Sequence, residues 1–243
     1  MEGDRKLIGQ GKTANVYLDH GYAYKEYAEN HPIDWIKYEV QIQNEVADKT
    51  KLPVIKYSFT DNPHIIKMPY INGGELTNRM RKDKYKYGVE DLVNLQIETY
   101  NYDKLDLPLA FVEYESIIKK STLHDDIKQK ALKSLSMIER KEVLCHFDFH
   151  FSNIMYDGNK YYIIDWNNAK LGNPVMDIAR TYIILRQYAF RLAGKYLKII
   201  TKKMKLNPEI VKQAIPLMAA LRLLEKDGKT FNESLIQMIN SSN

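Results

Sequence analysis

From Leu144 to Asp165 the chain reads L-C-H-F-D-F-H-F-S-N-I-M-Y-D-G-N-K-Y-Y-I-I-D, gathering two carboxylates, Asp148 and Asp165, two imidazoles, His146 and His150, and one carboxamide, Asn153. Oxygen donors of this kind are the ligands that Mg²⁺ takes. A carboxylate set beside a hydroxyl group draws off its proton, and a phosphoryl-transfer site needs both devices. Each residue alone has a plainer use: either histidine fills a core, and Asp157 and Asn159 suit a turn. The chemistry rests on their occurring together.

Such groups need a rigid frame. Val143 to Cys145 is a short apolar run, while Ile154 to Tyr156 and Tyr161 to Ile164 are β-prone runs joined by Asp157-Gly158-Asn159, a tight-turn signature. The polar residues therefore fall at strand ends and in one loop, where a hairpin displays them. The surrounding chain has 243 residues, enough for one large domain or two lobes, with 44% hydrophobic and 28% charged residues, as in ordinary globular proteins. No apolar run reaches about 18 residues, so no membrane span is expected. The start, M-E-G-D-R-K, lacks the apolar centre of a signal peptide, and the expected location is cytoplasmic. The lone Cys145 excludes an internal disulfide and reads as a small buried apolar side chain.

The spacing from His146 to Asp148 to Asn153, followed across the hairpin by Asp165, resembles the H-x-D-x-x-x-x-N loop and the later metal-binding Asp of the protein-kinase-like fold. Within that fold, H-F-D-F-H-F-S-N-I-M and I-I-D-W-N-N-A look like the aminoglycoside phosphotransferase and choline kinase family, whose usual form is H-G-D-x-H-x-x-N-I-L and then I-D-W. A further block, Gly172 to Arg180, resembles the family's G-x-P-x-x-D-L-A. The resemblance implies an α+β, protein-kinase-like bilobal fold, with a β-rich nucleotide-binding lobe over residues 1–69, a hinge over 70–75 and a helical lobe over 76–243. It implies that Asp148 is catalytic, that Asn153 and Asp165 hold Mg²⁺, and that Asp177 accepts hydrogen bonds from the catalytic-loop backbone. His146 would tie that loop to the core, and His150 would either face the substrate or fill space. Two positions depart from the pattern: Phe147 stands for the usual Gly, with consequences for loop conformation, and Phe151 for a common Pro. Neither removes a ligand.

Ahead of this segment the order of features also matches the family. Gly9 to Tyr17 places glycines before a β-patterned run, with a turn near Asp19-His20-Gly21 and another strand over Tyr22 to Tyr27. Gly11-Lys12-Thr13 imitates the end of a P-loop, but the earlier glycine would fall at Lys6. Gly9-x-Gly11-x-x-Ala14 imitates a dinucleotide fingerprint, yet the next residues alternate like a strand. A kinase-type glycine loop fits best. Ala23 and Lys25 lie on one face of a strand, like the A-x-K that admits adenine and meets the α and β phosphates. The helix expected over Ile33 to about Lys49 offers Glu39 as partner to Lys25, with Glu45 as reserve. Leu52 to Tyr57 and His64 to Met68 read as two more strands. Met68-Pro69-Tyr70-Ile71 opens the expected hinge, whose backbone would read a purine edge. Beyond it, Leu92, Leu95, Ile97 and Tyr100 form one helical stripe, and the sequence remaining after Arg180 reads as three or four helices.

Charge bears on the substrate. The formal net charge is +5, but twelve bases stand against five acids after residue 170, so that last third carries about +7 and the part before it about −2. Family members that bind polycationic aminoglycosides do so with acidic surfaces, unlike this basic third. The expectation is therefore an ATP- or GTP-dependent, Mg²⁺-requiring kinase of a small hydroxyl-bearing molecule, either an antibiotic kinase or a kinase of a choline-, amino-alcohol- or sugar-like metabolite. Nucleic acid and membrane partners are not expected, and the chain is a monomer or homodimer. A protein kinase is disfavoured, because no D-F-G, A-P-E or activation segment comes after Asp165. A non-catalytic nucleotide-binding module is the remaining alternative.

Overall fold

The computed structural model describes residues 5–11, 13–225 and 231–241. Lys12 of the glycine loop and Asp227 of the C-terminal acids lie outside them. In chain order the elements are β1 (Lys6–Gln10), β2 (Ala14–Asp19), β3 (Tyr22–Tyr27), α1 (Ile33–Lys49), β4 (Ser58–Phe59), β5 (Ile65–Pro69), β6 (Gly74–Glu75) and α2 (Leu76–Lys82). Then come α3 (Gly88–Thr99), α4 (Ala110–Lys120), α5 (Asp125–Met137), β7 (Val143–Cys145), β8 (Ile154–Tyr156), β9 (Tyr161–Ile163) and β10 (Lys170–Gly172). The described chain closes with α6 (Pro174–Tyr188), α7 (Phe190–Met204), α8 (Pro208–Leu224) and α9 (Asn232–Asn240). Two compact units result, one of residues 1–79 and 152–167, the other of 80–151 and 168–243. A smaller unit with sheets and a larger helical one make the fold α+β, as the motif order implied.

The strand-rich unit is built on an antiparallel sheet in the order β1-β2-β3-β5-β4. Gly11 N–H donates to Ala14 O at 2.9 Å, closing the β1–β2 hairpin. The glycines lead into β2 and not into a helix, which removes the dinucleotide reading. Helix α1 lays Ile36, Val40, Ile42 and Val46 inward, and Ile36 and Val40 pack with Ala23, Ile66 and Met68 of the sheet. Burying each such side chain contributes about 1.5–3 kcal/mol. The strand expected over Leu52 to Tyr57 is absent. That segment's backbone bonds elsewhere: Gln43 Nε2 donates to Ile55 O at 2.7 Å, Asn44 brackets Tyr57 through both its N–H and its carbonyl, and Ile163 N–H donates to Pro53 O. Amide side chains of α1 thus satisfy groups that a neighbouring strand would have used.

A second, three-stranded sheet of this unit runs β6-β8-β9, with Ile154 opposite Ile163 and Tyr156 opposite Tyr161. Its turn is the expected one, with Gly158 at φ +102° and Asp157 Oδ1 accepting from Asn159 and Lys160 N–H. Glycine is required just before β6, because a Cβ on Gly73 would collide with the backbone of Tyr156 and Asp157.

In the helical unit α8 is buried along most of its length and packs on α5, α6 and α9. Helices α6 and α8 both start as the sequence signals, with Asn173 and Asn207 accepting from Val175 and Glu209 N–H and a proline in the first turn. The strand pair β7–β10 sets Leu144 against Leu171 and carries the chain into the loop that begins at His146. On α3 the buried stripe is Leu92, Val93, Gln96 and Thr99, and Leu95, Ile97 and Tyr100 sit at its margin. Two polar residues thus occupy a face that was expected to be apolar.

Substituting Gly73→Ala should lower unfolding stability by about 1–3 kcal/mol, because the obstructing atoms are backbone and cannot swing aside. Urea denaturation of the variant beside the parent checks this, and an unchanged midpoint would refute the close approach.

Candidate active site

The strand-rich unit holds a cleft. Ala23 and Lys25 share a face of β3, with Met68 opposite Ala23 on β5 and Val16 opposite Lys25 on β2. Together with Met155, Ile164 and Asp165 they line a cavity of about 210 Å³, and Met68 to Ile71 border it. The walls are mostly apolar and the polar end is formed by Lys25 and Asp165. Gly9 pairs with Val16 across the hairpin, but among the described residues it is Ile8 and Val16, not Gly9 or Gly11, that line the space.

Lys25 is aimed from behind. Its Nζ donates to Glu39 Oε1 at 2.6 Å, and Tyr27 Oη donates to Glu39 Oε2 at 2.5 Å. Glu39 is buried, so the helix acid that meets Lys25 is Glu39 and not Glu45. Burial, and then the charge and hydrogen bond of Glu39, push the Tyr27 hydroxyl far above its usual range, and it stays a donor. At the end of β5, Pro69 has no N–H and Tyr70 N–H donates to Gly21 O at 3.4 Å. Ile71 N–H has no protein partner among the described residues and borders the cavity.

Asn153 and Asp165 belong to the same unit. Ile164 N–H donates to Asn153 O at 3.0 Å, which ties the residue before Asp165 to the residue that carries the carboxamide. Asp165 sits at φ +65°, a left-handed conformation uncommon for a residue with a Cβ and held here by its surroundings. The next residue, Trp166, is fully buried and its Nε1 donates to Ile163 O at 3.1 Å. Burial raises the Tyr57 hydroxyl, and the charges of Glu39 and Asp165 raise it further, so both carboxylates act on one neighbourhood. Lys25 compensates Glu39, and Asp165 is a second anion there. Among the described residues no three His, Cys, Asp or Glu side chains gather as a metal site. One carboxylate and one carboxamide suit Mg²⁺, which commonly takes one or two protein oxygens and completes its shell with water and phosphate.

The helical unit holds the other chemical groups. Asp148 N–H donates to His146 Nδ1 at 3.2 Å, and the buried His146 ring stands edge-on to Phe149 at 5.3 Å. His150 Nε2 lies 3.6 Å from Asp148 Oδ2. Burial by itself would raise the Asp148 carboxyl, but the His150 ring, then Arg180 and His146, outweigh it and hold Asp148 well below the usual carboxylate range. Phe147, the residue in the family's glycine position, adopts φ +58°, which accounts for glycine there. Its strain is pinned on three sides. Phe147 N–H donates to Asp177 Oδ1 at 2.7 Å, Arg180 Nε donates to Phe147 O at 3.3 Å, and the ring meets Tyr114 edge-on at 5.3 Å.

Asp177 is fully buried and accepts two further hydrogen bonds, from Gln96 Nε2 and Tyr100 Oη, each at 2.9 Å. Burial raises its carboxyl despite those donors. Tyr196 Oη in turn donates to Gln96 Oε1 at 2.6 Å. This is why Gln96 lies on the buried stripe of α3. Sequence reading missed Gln96, Tyr27 and Arg180; a lone glutamine on an otherwise apolar helix face is the signal that points to a buried acid elsewhere.

Residues 91–198 match the model of the Phosphotransferase enzyme family. A choline/ethanolamine kinase family protein from Mesorhizobium loti superposes with a TM-score of 0.67 at 12% identity, covering 99% of this chain and 88% of that one. This is the fold of the small-molecule kinases. Aminoglycoside phosphotransferase APH(4)-Ia, in a ternary complex with AMP-PNP and hygromycin B, gives 0.67 at 11% identity, over 99% of this chain and 94% of that one. Choline kinase LicA from Streptococcus pneumoniae shares the phosphotransferase fold with a TM-score of 0.63 at 13% identity, over 98% of this chain and 92% of that one. No curated protein sequence matches the chain.

Two outcomes test the site's electrostatics. Glu39→Gln leaves Lys25 facing a neutral amide in a partly buried position and should cost about 3 kcal/mol of unfolding stability; a loss near zero in urea titration would mean that the pair is not held. Asp148 ionises below the roughly 3.9 of an unfolded Asp, so its stabilising contribution is present above about pH 4 and is lost as pH falls towards its folded value. His150→Ala removes the partner that holds the carboxyl down while burial remains, so the acidic limb of kcat/KM should move to higher pH. An unmoved limb would show that His150 does not govern Asp148.

Proposed function

We propose that the protein is a Mg²⁺- and nucleotide-dependent kinase that moves the γ-phosphoryl group of ATP or GTP to a hydroxyl of a small molecule. The observation that carries this is Lys25, fixed by Glu39 and Tyr27 at the polar end of an apolar cleft that also holds Asp165. An apolar slot bordered by an unbonded backbone N–H suits a purine, and a buttressed ammonium among its lining suits phosphates. The strand-rich unit is thus the nucleotide-binding lobe, with residues from Met68 to Ile71 reading the base.

Asn153 and Asp165 would hold Mg²⁺, which when bound neutralises phosphate charge. Lys25 orients the phosphates of the nucleotide substrate. Asp148, ionised throughout the neutral range, accepts a hydrogen bond from the acceptor hydroxyl and takes its proton as the new P–O bond forms. The β–γ bridging P–O bond breaks, the nucleoside diphosphate leaves with the bridging oxygen, and the proton on Asp148 returns to solvent. His146 and Asp177 do not react; they fix the loop so that the Asp148 carboxylate keeps one direction.

Among the described residues no helix is long and apolar enough to cross a membrane. A coupled assay of ADP or GDP release, run over aminoglycosides, amino alcohols, choline and sugars, tests the reading. Asp148→Asn should lower kcat by about 10²–10⁴-fold while Mg-ATP binding persists. Asp165→Asn should abolish the Mg²⁺-dependent rate. Full turnover by both variants would falsify the assignment.

A further inference from the structure

We propose that a second cavity, beside the catalytic loop in the helical unit, accepts a compact hydroxyl compound of low net charge with a short apolar segment, and excludes polycations. The inference rests on the kinase reading and deepens it by naming the class of acceptor. The cavity measures about 210 Å³ and is lined by Phe147, the neighbour of Asp148, and by residues of α4, β10, α6 and α8. Arg180 joins the two places directly, because it lines the cavity, holds Phe147 O and lowers the Asp148 carboxyl by its charge.

The charges facing this space are already matched. Lys170 Nζ lies 2.9 Å from Glu113 Oε1, and Arg180 Nη2 lies 2.5 Å from Glu225 Oε1. Glu225's other oxygen takes Arg222 Nη1 at 2.5 Å, so both of its oxygens are engaged. The bases are buried, with side chains 8% and 6% exposed for Lys170 and Arg180, whereas Glu113 and Glu225 are 37% and 41% exposed. An incoming ammonium would compete for acids that buried bases need, and would bring like charge towards Lys170 or Arg180. One ammonium can share Glu113, whose pair with Lys170 uses a single oxygen; several have no unshared acid to meet. Ile117, Leu221 and Leu224 supply an apolar side. The volume is below the roughly 300–1,000 Å³ of pockets that enclose drug-sized ligands. Of the described bases beyond residue 170, Arg180 is the only one among the lining residues, so the basic surface of the last third is not this cavity's wall.

The test uses the full chain with saturating Mg-ATP, reading ADP release. The probes are kanamycin and hygromycin B as polycations, and ethanolamine, choline, glycerol and 3-hydroxybutyrate as compact acceptors carrying a single charge or none. At least one compact acceptor should be turned over, with kcat/KM about 100-fold or more above either aminoglycoside. Leu224→Trp, at a rim position 37% exposed and so tolerant of bulk, should raise that acceptor's KM by about tenfold and leave Mg-ATP affinity by calorimetry unchanged. Equal or better use of aminoglycosides overturns the inference and leaves the kinase reading standing. So does Mg-ATP binding without turnover of any compact acceptor, or a Leu224→Trp enzyme with unaltered KM. A chain that neither binds Mg-ATP nor releases ADP overturns the kinase reading and this inference with it.

Discussion

One buried carboxylate, Asp177, fixes the shape of the loop that begins at His146. Asp177 enters from the first turn of α6, where the helix dipole favours negative charge, and accepts the N–H of Phe147 at 2.7 Å. Gln96 of α3 and Tyr100 just after it donate to its other oxygen, and Tyr196 from α7 fixes Gln96. A buried charge with this many donors is stable only as a complete set, because losing one donor leaves an acceptor stranded in a low dielectric. Three helices are thereby committed to holding one peptide N–H in place. The direction of Asp148, one residue further on, is set by it.

The strand-rich unit uses the same device with opposite sign. There the group held is the ammonium of Lys25, and the buried anion that holds it is Glu39, itself braced by Tyr27. Asp165 is aimed by strain instead: its left-handed backbone is trapped between a hydrogen bond at Ile164 and the buried ring of Trp166. Such conformations cost on the order of 1–3 kcal/mol and persist where the surroundings over-determine them.

Much of this was legible in the sequence, because the relevant signals are local. The hairpin over 154–163 announced itself through Asp157-Gly158-Asn159. The order of motifs carried the fold. What was not legible depends on contacts between distant segments. Leu52 to Tyr57 has the composition of a strand, and only the amides of Gln43 and Asn44 decide that it is not one. Gln96 went unnoticed in the sequence because its partner lies 81 positions away. The placement of bases after residue 170 also escaped the sequence, since a charge count cannot say which surface each side chain faces.

Phe147 gives the loop a second duty. A glycine in that left-handed position would adopt the backbone without strain but would contribute no side chain, whereas the phenyl ring here is nearly fully buried and forms part of a cavity wall. Space for it comes from Gly172 on β10, where a Cβ would stand 3.1 Å from the ring's Cζ. Phe147 and Asp148 are consecutive residues, so whatever presses on the ring from the cavity side is felt one position further along, at the carboxylate.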